Sequence, residues 1–232
     1  MLKKVLRLID ATLGRFVRHF FFILVRPYYS LFYNVSMSNK HLLQDMPGGL
    51  ILATHVSRHD GPMVANMLYS TVRVRPAVLY SEYYNWAQWF PLMSISAVPM
   101  SSPKSWSPER RAAQKEFSLD VIRRVISNGN PVLLFPSGGV RTQPREVIKP
   151  RLSGAYDILT AIPDCPVAII RIEGLSAFET PIYDHFWSFM FIKKGRRHVN
   201  ISIEYLPDGL STDCSLEDFN ASLEKRLNTR PS

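Results

Sequence analysis

The chain reads as an α/β domain, a central mostly parallel sheet flanked by helices, with an N-terminal amphipathic membrane-associating helix in front of it. Three patterns predict this. Short apolar runs entered through glycine or proline, GGLILAT (48–54), NPVLLFPSGG (130–139) and PVAIIRIEGL (166–175), have the continuous hydrophobicity of strands covered on both faces. Segments with helical periodicity alternate with these runs, as parallel strands joined by crossover helices require. The first forty residues carry a different pattern, basic on one side and aromatic or aliphatic on the other.

In that segment Lys4, Arg7, Arg15 and Arg18 recur at helical spacing, with Val5, Ile9, Leu13, Phe16 and Phe20 nearly opposite them. The longest uninterrupted apolar run, FFFILV (20–25), falls far short of the roughly 20 apolar residues needed to span a bilayer, so the helix is expected to lie on a membrane. A secretory signal is a poor match, because arginines interrupt the apolar region and no small-residue cleavage site follows. The aromatics of RPYYSLFYN (26–34) fit a position at the headgroup level. Packing of the same helix on the protein's own core is the alternative. On this reading residues 1–40 form the membrane-associating segment and 41–232 the folded domain, placed as a peripheral or monotopic protein on the cytoplasmic face of a membrane.

The elements follow in order. GGLILAT is a buried strand that ends at THVSRHDGP (54–62), and Asp60-Gly61-Pro62 starts a helix that Asp60 is able to cap. RPAVLYSEY (75–83) is a second strand, and residues 85–100 supply a short aromatic-rich helix and another strand. Residues 108–127 form a helix with proline in its first turn and a stop at Asn128-Gly129. The run at 130–139 delivers a strand into a glycine loop. Residues 149–161 are expected to be helical, 166–175 a strand, and HVNISIEYLP (198–207) an alternating, half-exposed strand. Ser215, with Asp218 three residues on, opens a last helix in a pattern resembling a capping box.

A formal net charge of +9 over 232 residues favours an anionic partner, whether nucleic acid, an acidic membrane surface or an anionic substrate. No recognition-helix or RNA-platform signature supports the first, so nucleic acid is not the expected partner. Cys165 and Cys214 stand far apart and in no metal-ligand spacing, so neither a disulfide framework nor a zinc site is expected. His41, His185 and His198 have no partner spacing that makes a ligand set.

The chemistry-bearing stretch is THVSRHDGP. A neutral imidazole at His55 can take a proton from an attacking hydroxyl only in the right tautomer, and a carboxylate at Asp60 on the other ring nitrogen fixes that tautomer. The pair by itself is weak, because Asp60 has a ready role as a helix cap. FPSGG lacks the Gly-x-Ser-x-Gly pattern of a nucleophile elbow, which argues against Ser137 as a nucleophile.

Taken together, THVSRHD, FPSGGVRT, KPRLSGAYDILTA and PVAIIRIEGL resemble, in order and spacing, the four blocks of the glycerolipid acyltransferases that include 1-acyl-glycerol-3-phosphate acyltransferase. The likeness covers roughly residues 48–175. RIEGLSAF further resembles the acyltransferase half of bacterial acylglycerophosphoethanolamine acyltransferases. The resemblance implies that His55, in a His-x4-Asp block, deprotonates an acceptor hydroxyl that attacks an acyl-CoA or acyl-carrier-protein thioester, while Asp60 holds His55 in register. It implies an acceptor or oxyanion site at Ser137, Gly138, Gly139 and Arg141, with a plain tight turn as the alternative for the two glycines, and no cofactor or metal beyond the acyl donor as co-substrate. His59 falls at a variable position of the block.

Departures from the family pattern lie on the acceptor side. Ser137 stands where the family has glutamate, Arg141 comes one residue late, Ser101 and Ser102 replace an Asp-Arg pair, and Thr54 replaces asparagine. Serine cannot give a phosphate the bidentate grip of arginine. Either Arg58, Lys104, Arg141 or Arg145 takes over that contact, or the acceptor is a lyso-lipid with a larger or differently charged headgroup. The expected activity is therefore acyl transfer to a lysophospholipid-like acceptor, with the bilayer, the thioester donor and acyl-carrier protein as candidate partners. A catalytically weak relative that binds lipid or acyl chains is the alternative. KKGRRH (193–198), beside FWSFMF (186–191), reads either as a solvated turn or as a second membrane contact.

Overall fold

The computed structural model describes residues 23, 26–27, 29–31, 33–44, 46–57, 60–79, 96–100, 105–140, 145–175 and 197–229. Most of the amphipathic segment, the aromatic-rich helix expected after residue 85, and the aromatic-basic stretch up to residue 196 lie outside these residues. Along the chain come β1 (Tyr33–Ser38), a short 3-10 helix (Lys40–Leu43), β2 (Gly49–Ala53), α1 (Asp60–Leu68), β3 (Arg75–Leu79) and β4 (Val98–Met100). They are followed by α2 (Pro108–Ser127), β5 (Pro131–Leu134), α3 (Gly154–Ala161), β6 (Val167–Glu173), β7 (Arg197–Leu206) and α4 (Leu216–Asn228).

The strands form one seven-stranded sheet in the order β1-β7-β6-β2-β5-β3-β4. Five neighbouring pairs are parallel and β6-β7 is antiparallel, so the expected mostly parallel α/β architecture is present. The apolar runs are explained by the layers. In β2, Ile51 and Ala53 point into one core with Met63, Val64 and Leu68 of α1, while Leu50 and Leu52 point into a second core. That second core holds Ile122 and Ile126 of α2, Ile158 and Leu159 of α3, and Phe219, Leu223 and Leu227 of α4. A strand covered on both faces has no polar alternation to show.

The sheet begins before residue 40. Tyr33–Ser38 is a strand of the domain, pairing in parallel with Arg197–Ser202 of β7 at the sheet's edge, where Ser36 Oγ donates to Asn200 Oδ1 at 2.5 Å. Of the aromatics expected at a headgroup layer, Tyr29 and Tyr33 are buried in the α1-side core, their ring centroids 5.9 Å apart. Burying two large rings in the domain outweighs leaving them at a surface. Ile23 and Leu31 nearby are exposed. Among the described residues no helix is long and apolar enough to cross a membrane.

Two helix starts carry their reasons locally. Ser107 and Ser215 cap α2 and α4, accepting from the N-H groups of Arg110 at 3.3 Å and Asp218 at 3.1 Å. The helix expected over 149–161 begins only at Gly154. Residues 149–152 run as a loop whose carbonyls at Lys149, Pro150 and Leu152 accept from Asn220 Nδ2 of α4.

Candidate active site

The site is assembled where β2 and β5 end, the place where parallel sheets present loops to ligands. Beyond Ala53 the chain leaves β2 without falling slack. Thr54 N donates to Ile170 O of β6 at 3.0 Å, and the Thr54 hydroxyl accepts from Ile172 N at 2.9 Å. Thr54 thus acts as a tie between the loop and β6.

His55 follows, its side chain 19% exposed, and its Nδ1 lies 3.0 Å from Oδ2 of the wholly buried Asp60. The same oxygen accepts from Val56 N at 2.5 Å and Ser57 N at 2.8 Å. Asp60 is the first residue of α1, and these bonds run backwards into the loop, so its carboxylate serves the loop and not the helix cap expected of it. Because a carboxylate can only accept, the imidazole donates from Nδ1 and leaves Nε2 with its lone pair. Such an arrangement can offer Nε2 as a base, with a negative charge beside the ring that would stabilise an imidazolium.

Phe135, the first residue after β5, stacks on the His55 ring with centroids 4.3 Å apart and planes at 24°. The ring therefore has an aromatic wall on one face and a carboxylate at one edge. On the main-chain side, His55 N donates to both oxygens of Glu146, at 3.2 and 3.1 Å, and Glu146 is wholly buried.

The glycine loop beyond Phe135 is closed on itself. Gly138 N donates to Phe135 O at 3.0 Å, closing a tight turn that Gly138 completes at φ 67°, so that N-H is committed inside the turn and is not available to an oxyanion. The Ser137 hydroxyl donates to Gly139 O at 3.1 Å, again within the loop. Gly139 is exposed, with open space where a side chain would stand. Arg58, His59, Ser101, Ser102, Lys104 and Arg141 lie outside the described residues. Among the described residues no group of three or more His, Cys, Asp or Glu side chains could hold a metal ion.

The structure thus brings together His55 and Asp60, as expected from their spacing, and adds Phe135 and Glu146. Both additions have a faint signal in the sequence. Phe135 directly precedes the glycine loop, and Glu146 is the single acid in the basic stretch VRTQPREVIKPR.

The model of the Acyltransferase family matches residues 34–170, more than half of the chain and the whole of this site from Thr54 to Glu146. The chain belongs to the Acyltransferase family. This acyltransferase is also similar in structure to the 1-acyl-sn-glycerophosphate (LPA) acyltransferase PlsC of Thermotoga maritima, with a TM-score of 0.55 over 100% of this chain and 85% of that one. The two share 15% sequence identity, so the likeness is one of fold. No curated protein sequence matches the chain.

Proposed function

We propose that this acyltransferase moves a fatty acyl group from a thioester donor, acyl-CoA or acyl-carrier protein, to a hydroxyl of a lysophospholipid-like acceptor. The observation that carries the reading is the 3.0 Å contact between His55 Nδ1 and a buried Asp60 carboxylate that two main-chain N-H groups hold in place. The Nε2 lone pair takes the proton of the acceptor hydroxyl as its oxygen attacks the thioester carbonyl. The tetrahedral oxyanion collapses, the C-S bond breaks, and the leaving thiolate takes the proton back from the imidazolium. The products are an ester and a free thiol, and the enzyme returns unchanged. No acyl-enzyme is needed, because the site acts by bringing donor and acceptor together beside a base.

A lyso-lipid acceptor is supported by the four-block resemblance and by the likeness to a protein named for lysophosphatidate acylation. The net charge of +9 and the basic, amphipathic N-terminal pattern support a working position on an acidic membrane surface. The test is transfer of a labelled acyl group from acyl-CoA or acyl-carrier protein to lysophosphatidate, lysophosphatidylethanolamine, glycerol phosphate and amino-acid lyso-lipids, with His55→Ala alongside. Transfer by the parent and its loss in a folded His55→Ala variant is the expected result. Lyso-lipid binding with no transfer to any acceptor would instead make the chain a lipid-binding relative.

A further inference from the structure

The main chain that carries His55 belongs to no helix or strand, yet four successive N-H groups are fixed in it. Thr54 N is held by Ile170 O, His55 N by the Glu146 carboxylate, and Val56 N and Ser57 N by Asp60. Two wholly buried carboxylates, those of Glu146 and Asp60, therefore hold three of the four. Hydrogen bonds from a main-chain N-H to an ionised group are about twice as strong as neutral ones.

Glu146 is itself held by α4. Asn228 Oδ1 accepts from Glu146 N at 2.8 Å and Asn228 Nδ2 donates to Glu146 O at 2.9 Å, so one side-chain amide pairs with both main-chain groups of the residue as a neighbouring strand would. One turn back, Glu224 Oε2 accepts from Ile148 N at 2.8 Å, and one turn further, Asn220 Nδ2 donates to the carbonyls of Lys149, Pro150 and Leu152. Asn220, Glu224 and Asn228 recur every four residues and form one stripe of α4. The neighbouring stripe, Phe219, Leu223 and Leu227, is anchored in the core. The stripe of polar side chains thus sets the path of residues 146–152 and, through it, the place of the Glu146 carboxylate at the His55 amide.

We infer that Glu146 is a positioning residue for acyl transfer, fixing the main chain of His55 through its amide, and that α4 is the clamp that holds it there. This rests on the reading of His55 as the base. A histidine whose backbone drifts by about 1 Å loses its alignment with donor and acceptor, a change that costs on the order of 10²-fold in rate. Glu146 reaches no reacting atom in this scheme, so its removal acts on kcat and leaves donor and acceptor affinities in place.

The test compares Glu146→Ala, Glu146→Gln and Asn228→Ala with the parent and with His55→Ala, following acyl transfer, thermal unfolding and hydrogen exchange at the His55 amide. Glu146→Ala is expected to lower kcat about 10²-fold with KM values within about twofold, and to speed exchange of the His55 amide at least tenfold. Glu146→Gln, whose amide oxygen can still accept from His55 N, is expected to restore slow exchange and most of kcat. Asn228→Ala, which frees the Glu146 main chain but keeps its carboxylate, is expected to fall between the two. The inference is overturned if Glu146→Ala keeps parental kcat and a protected His55 amide. Should Glu146→Ala fail to fold, Asn228→Ala decides, and parental kcat with a fully protected His55 amide in that variant overturns the inference equally. Retained activity in His55→Ala would instead remove the reading of the base, a separate outcome.

Discussion

Replacing Asp60 by asparagine separates the two things its carboxylate does. One oxygen serves His55 Nδ1, Val56 N and Ser57 N, and the asparagine carbonyl can take over all three contacts, so the geometry survives and only the charge is lost. With the charges of an imidazolium and a carboxylate about 4 Å apart and an effective dielectric of about 20, their attraction is about 4 kcal/mol. At 1.36 kcal/mol per factor of ten, full loss would slow the reaction roughly 10³-fold, and about 10²-fold if only part of the charge has developed in the transition state. The fold has less at stake. Asp60 Oδ1 is buried without a hydrogen-bond partner among the described residues, so removing the charge relieves desolvation while the new NH2 group, equally unpartnered, costs about 1–3 kcal/mol. Initial rates from a chromogenic thiol-release assay, read beside the thermal midpoint, check both statements. An Asp60→Asn enzyme within tenfold of the parent would refute the assignment of Asp60 as the charge that supports a catalytic imidazolium.

Phe135→Ala removes the ring stacked on His55, a contact of about 1 kcal/mol beyond its area, and is expected to lower kcat about tenfold while Phe135→Tyr stays near the parent in the same assay. Gly48→Ala forces a non-glycine residue to φ 102° with its Cβ 2.3 Å from Ile126 O, so denaturant unfolding is expected to show a loss of roughly 2–4 kcal/mol. Native protein is expected to lose one thiol to an alkylating reagent at neutral pH, that of the exposed Cys214, because Cys165 is buried and its thiol pushed up to about 11 by desolvation. The linked effect on stability has a definite sign. The neutral Cys165 thiol is favoured by the fold, so its contribution is intact below pH 9.0 and is lost as pH rises towards 11, at up to about 1.4 kcal/mol per pH unit, and Cys165→Ser removes that slope.

What could be read along the chain was whatever is encoded within a few residues. The strands are legible because burial on both faces makes them continuously apolar, α2 because proline opens it and Asn128-Gly129 ends it, and α4 because Ser215 satisfies its own first-turn N-H group. His55 and Asp60 meet within a single loop-to-helix turn, so their spacing already contained their contact. Where local signals competed, tertiary packing won. The carbonyls of the KPRL loop are taken by Asn220, which holds back the start of α3, and Tyr29 and Tyr33 turn into the core.

The glycine loop shows one limit of the sequence, which left open a tight turn or an oxyanion contact, whereas in the structure the N-H of Gly138 closes the turn. Glu146 shows the same limit from the other side. It lies 91 residues from His55, and Asn228, which holds it, lies a further 82 residues on. No period or cap in the sequence links positions so far apart. Their meeting depends on β5 lying beside β2 and on α4 being packed by Phe219, Leu223 and Leu227 with its polar stripe against residues 146–152. The sequence by itself determined the elements and the His55-Asp60 pair, because those rest on local periodicity and hydrogen bonding. The tertiary structure alone decided what surrounds that pair, because strand order and helix packing choose which distant side chains share a buried space.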